Sequence, residues 1–107
     1  MRELQEIRPE IDAVDTRLVE LFEKRMALCK EVAEYKIAAG KKVFDRKREE
    51  EKLCTLCAMA ESEFSGHCIT ELFSQIMAMS RKMQYQMLAE QGILKELLPL
   101  VGYAALA

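Results

Sequence analysis

The feature that most constrains how this chain can fold is a helical stripe too long for one small domain to cover. Apolar residues at Leu4, Ile7, Ile11, Val14, Leu18, Leu21, Leu28, Val32, Tyr35 and Ala39 recur three or four positions apart. That spacing lines one face of an α-helix. Pro9 places the helix start just before it, because proline fits a first turn and disrupts later ones. Gly40 suits the left-handed position that closes a helix. The pattern therefore predicts a helix over residues 7–39, which at 1.5 Å per residue spans about 48 Å. A compact chain of this length has a radius of gyration of only about 13 Å. One protomer cannot cover such a seam, and the simplest partner is a second copy.

One seam position breaks the apolar run, and it is Arg25. A guanidinium stays charged, and burying it costs several kcal/mol unless an anion meets it. The seam thus looks built around something negative. Lys36 lies eleven residues further on, three turns along nearly the same face, with α-carbons about 16 Å apart. Two long cations leaning together at that spacing can enclose a small molecule. Arg8 lies about 25 Å before Arg25, out of reach within one chain. In an antiparallel pair of helices, Arg8 of one copy approaches Arg25 and Lys36 of the other.

The remaining elements are also helical. Asp45 is a good N-cap for a second helix from about Arg46 to near Ser62, with Leu53, Leu56 and Ala60 inward. Ser65-Gly66 reads as a break. A third helix from about His67 to Gln91 would bury Ile69, Leu72, Phe73, Ile76, Met77, Met83 and Met87. No segment alternates with period two, so the expected fold is all-α, with three helices per protomer. Residues 1–91 read as one domain. Residues 92–107 form an apolar tail interrupted by Pro99 and Gly102, either a docking helix or a linker.

The third helix repeats the intrusion of polar groups. Ser80 and Gln84 sit one turn apart on its apolar face, where buried hydroxyl and amide groups need partners. They can bond each other or a neighbouring carbonyl, or they can serve a cavity. Asp45, Arg48 and Glu49 open the second helix, where free backbone N–H groups favour anions. Each feature has a plainer reading: Arg8 as a surface charge, Lys36 snorkelling beside the seam, Arg48 and Glu49 as an exposed pair, Arg25 neutralised by another helix. Their convergence on one cavity in a three-helix dimer favours a site.

Composition narrows the function. Net charge is −2 with 32% charged residues of both signs, so no broad basic face points to nucleic acid or anionic lipid. The start, Met1-Arg2-Glu3, is too charged for a signal peptide, and no apolar stretch approaches the ~20 residues of a membrane span. The expected compartment is the cytoplasm. Cys54-x-x-Cys57, with His67 and Cys68, resembles part of a zinc pattern, but it lies in a helical run without a second CxxC. Reduced cysteines acting as small core residues are the simpler reading.

Ile7-Arg8-x-x-Ile11-Asp12-x-x-Asp15-x-x-Leu18, then Arg25, Lys36, Val43-x-Asp45-x-x-Arg48-Glu49 and Ser80-x-x-x-Gln84 resemble the all-helical class of chorismate mutases in identity and spacing. The resemblance runs from about Leu4 to Gln86. It implies an intertwined antiparallel homodimer of three-helix protomers, with two active sites each drawing on both chains. It also implies that Arg25 and the partner copy's Arg8 hold the two carboxylates of chorismate, assisted by Ser80 and Arg48. Lys36 and Gln84 would donate hydrogen bonds to the ether oxygen of the breaking bond, while Glu49 and the backbone near Asp45 would bind the ring hydroxyl. Pro9, directly after Arg8, departs from the family pattern and bears on how Arg8 is aimed. The implied activity is isomerisation of chorismate to prephenate in phenylalanine and tyrosine biosynthesis, with no metal or cofactor. A related isochorismate pyruvate lyase resembles the chain at Arg8, Arg25, Lys36 and Gln84 but lacks the Asp-x-x-Arg-Glu connection. A non-enzymatic dimeric helical adaptor is the alternative from another class, and a module binding an aromatic metabolite without turnover is a third.

Overall fold

The computed structural model describes residues 1–91; the apolar tail at 92–107 lies outside the described residues. Three helices carry the fold: α1 (Leu4–Ala39), α2 (Arg46–Cys57) and α3 (Glu63–Glu90), with no strand among the described residues. α3 lies against both of the others.

α1 begins a turn earlier than residue 7. Glu3 caps it with an extended backbone and no side-chain bond, its carbonyl accepting from the amides of Glu6 and Ile7 at 3.0 and 3.1 Å. Pro9 therefore lies inside the helix. Having no N–H, it leaves the carbonyl four residues back without a helical donor. This stretch is exposed, so water can supply the missing bond. An Arg2–Glu10 ion pair spans the same first turns. At the other end Gly40 adopts φ 67°, its amide donating to the Ile37 carbonyl, while the Lys41 amide reaches the Lys36 carbonyl at 2.8 Å. This double closure is the Schellman arrangement, which only an unhindered residue adopts cheaply.

Asp45 caps α2, its carboxylate accepting from the Arg48 amide at 3.1 Å. α2 ends at Cys57 rather than near Ser62, and α3 starts at Glu63 rather than His67. The reason is Ser62, whose hydroxyl accepts from the Ser65 amide at 3.0 Å and makes it the N-cap of α3. Such a cap contributes about 1 kcal/mol. Ser65-Gly66, expected as a break, thus lies in the first turns of α3. Gly66 is there for packing: it is buried, and a β-carbon would meet the Cys57 sulfur at 3.3 Å.

The core of the single chain is small. Ala33, Val43 and Met77 are its buried apolar residues, with Ser80 and Gln84 buried among them. Leu53, Leu56, Ala60, Ile69, Phe73, Ile76, Met83 and Met87 are half-buried, whereas Leu72, expected inside, is exposed. Cys29 is half-buried; Cys54, Cys57 and Cys68 are exposed and not core residues, and all four are free thiols. No group of His, Cys, Asp or Glu among the described residues could hold a metal ion. No helix among them is long and apolar enough to cross a membrane.

The stripe on α1 stands uncovered. Leu4, Ile11, Val14, Leu18, Leu21, Leu28, Val32 and Tyr35 are 47–62% exposed. The molecule measures 59 × 26 × 25 Å with a radius of gyration of 17.5 Å, against about 13 Å for a compact chain of this size. Contiguous apolar surface of this extent marks an interaction face.

Candidate active site

Where the C-terminal half of α1, the start of α2 and the C-terminal half of α3 face one another, they form an open pocket of about 120 Å³. α1 contributes Arg25, Cys29 and Lys36; the connection and α2 contribute Val43, Asp45, Arg48, Glu49 and Lys52; α3 contributes Met77, Ser80, Arg81 and Gln84. Seven of the eight residues singled out from the sequence therefore line one pocket. The eighth, Arg8, is exposed near the far end of α1 and is not among them.

The chemistry of the lining is lopsided. Arg25, Lys36, Arg48, Lys52 and Arg81 face only two carboxylates, those of Asp45 and Glu49. Both acids are engaged: Asp45 caps α2 and Glu49 pairs with Arg81. Arg25 is half-buried, and its polar contact is the weak acceptor Cys29 Sγ at 3.6 Å. It is less deeply buried than its seam position suggests, and it forms no ion pair among the described residues. Lys36 donates to the Val43 carbonyl at 2.8 Å. An ammonium has three protons, so two remain for a ligand.

Ser80 and Gln84 meet each other, Gln84 Nε2 donating to Ser80 Oγ at 3.1 Å. That is the simpler of the fates open to such a pair, yet it leaves a remainder. Gln84 is only 6% exposed, and its Oε1 is buried with no partner among the described residues. A buried polar atom left unpaired costs about 1–3 kcal/mol. Turning the amide over lets the Ser80 hydroxyl donate to Oε1 and makes Nε2 the free atom. In either orientation Gln84 keeps one hydrogen-bonding group for something that enters the pocket.

Sequence reasoning missed Arg81 and Lys52. Lys52 carried a usable signal, lying one turn beyond Arg48 and Glu49 on α2. Arg81 carried none, since its partner Glu49 is 32 residues away. In place of the plainer reading, an exposed Arg48–Glu49 pair, Glu49 forms a half-buried pair with Arg81, because the contact between α2 and α3 brings Arg81 within reach.

The arrangement offers clustered cations, hydrogen-bond donors of fixed aim and a buried amide with spare capacity. No curated protein and no solved structure matches the chain. A family model, chorismate mutase type II, matches residues 7–85. That span takes in every pocket residue and all but the first turn of α1, and on it the chain belongs to the chorismate mutase type II family.

Proposed function

We propose that this chain isomerises chorismate to prephenate, a committed step towards phenylalanine and tyrosine, as a cytoplasmic homodimer whose two sites each use both chains. The observation that carries the reading is one pocket. Arg25 and Lys36, three turns apart on α1 and without ion pairs among the described residues, face the buried amide of Gln84 with its unpartnered atom.

The reaction suits such a site. It is a unimolecular rearrangement in which the carbon–oxygen ether bond breaks as a carbon–carbon bond forms, and it needs no nucleophile or cofactor. A catalyst must hold the folded diaxial conformer and stabilise negative charge growing on the ether oxygen. Even a ~10⁶-fold acceleration requires about 8 kcal/mol. In this reading Arg25 and the partner copy's Arg8 clamp the two carboxylates, with Arg48 and Ser80 assisting. Lys36 and Gln84 donate to the ether oxygen, and Glu49 with the backbone at Asp45 receives the ring hydroxyl. The uncovered stripe of α1 supports the dimer: an antiparallel second copy would bury it and bring Arg8 to the pocket.

Incubating the purified protein with chorismate and identifying the product tests this directly. Prephenate is the expected result. Release of pyruvate from isochorismate would instead favour the related lyase, although Asp45, Arg48 and Glu49 at the pocket wall speak for the mutase. A folded protein inert towards both would leave the adaptor. The sharing of sites has its own test. Arg8→Ala and Arg25→Ala proteins should each be inactive, but a mixture allowed to exchange subunits should regain about a quarter of wild-type activity, since half the dimers then hold one intact site. No recovery despite demonstrated exchange would refute a shared site.

A further inference from the structure

Glu49 raises a problem that the pocket itself solves. Its side chain is 23% exposed and lines the same pocket as Arg25, Lys36, Arg48 and Lys52. A mobile carboxylate there would turn towards those cations, and pairing with Arg25 or Lys36 would occupy the charges that a dicarboxylate ligand needs. Instead it is held by Arg81 from α3, whose side chain is 28% exposed. The Arg81 guanidinium also lies over the Phe44 ring, 4.9 Å from its centroid. A planar guanidinium can stack on an aromatic face and pair with a carboxylate at once, which an ammonium does poorly. The stack and the pair together fix Arg81 from two sides, one on the connection before α2 and one within α2.

We propose that Arg81 is a positioning residue. By pairing with Glu49 and resting on Phe44, it keeps that carboxylate on the α2–α3 wall and leaves Arg25 and Lys36 open for a dicarboxylate substrate. This rests on the mutase reading above and assigns a role to a side chain that reading does not use. Arg81 acts through Glu49, so its loss should be felt in substrate capture more than in the chemical step.

A double-mutant cycle on chorismate turnover decides the matter, using wild type, Arg81→Met, Glu49→Gln and the double variant. Arg81→Met should raise KM about tenfold with kcat within about threefold, while the same change made in the Glu49→Gln background should move KM by less than about twofold. Arg81→Lys, keeping the charge but weakening the stack, should fall between. Where Arg81→Met does not fold, Arg81→Gln completes the same cycle. Equal KM increases in both backgrounds would show that Arg81 works without Glu49 and would overturn the proposal while leaving the mutase reading intact. A wild-type protein that leaves chorismate unchanged would end both together.

Discussion

Arg25→Ala and Lys36→Ala are each expected to lower kcat/KM for chorismate by about a thousandfold or more, equivalent to roughly 4 kcal/mol of transition-state stabilisation. The magnitude follows from what each group faces. Arg25 lies half-buried without an ion pair among the described residues, so its whole electrostatic capacity is available to a carboxylate. A charge-assisted bidentate contact in a pocket partly closed to water far outweighs an exposed one. In the proposed reading Lys36 meets the charge growing on the ether oxygen, and removing one such preorganised donor typically costs a hundredfold to a thousandfold. Losing a full positive charge adds to that. Steady-state kinetics alongside circular dichroism and sizing would check the expectation. Near-normal turnover by either folded variant would remove that residue from the site.

The second large effect concerns Gln84→Glu. The native amide donates a hydrogen bond at any pH; a carboxylic acid donates only while protonated, and a carboxylate would repel the negative charge it is meant to stabilise. Activity at neutral pH should fall about a hundredfold to a thousandfold. It should rise again as pH falls through the carboxyl's pKa, which is about 4.3 in the absence of perturbation. The sign is therefore acid-activated, while the wild-type profile over the same range lacks this limb. A variant whose activity stays flat with pH would mean that Gln84 is not a donor to the reacting oxygen. Its closeness to Ser80, 3.1 Å away, suggests Ser80→Ala as a companion that frees the amide without adding charge.

How much of this was readable from residue order depends on the range of each interaction. Arg25 with Lys36, and Ser80 with Gln84, were legible because a helix converts sequence spacing into shared faces with little help from tertiary contacts. Asp45 as an N-cap was legible for the same local reason. The N-cap at Ser62 was not, because Ser62, Ser65 and Gly66 all carry signals for a break, and only packing against Cys57 shows Gly66 to be a close-approach residue inside α3. Pro9 misled by about one turn, since a proline near a helix end costs little once water reaches the freed carbonyl. The Arg81–Glu49 pair was invisible from residue order, because it exists only once α2 and α3 are docked. The long stripe was legible as a surface in need of a cover. The single chain leaves it bare, so its occupant remains the business of the hybrid-dimer experiment.

Lys36 is tied twice to the six residues that join α1 to α2. Its carbonyl receives the Lys41 amide, and its ammonium holds the Val43 carbonyl. Surface connections usually tolerate added or deleted residues, but this one is a gauge block. A single residue inserted between Lys41 and Asp45 would leave all three helices able to form, yet it would pull the ammonium off its mark and change where α2 begins. Length drift should therefore be as damaging in this exposed stretch as a hole in the core, and engineered tags or grafts belong elsewhere, at the turn around Met59.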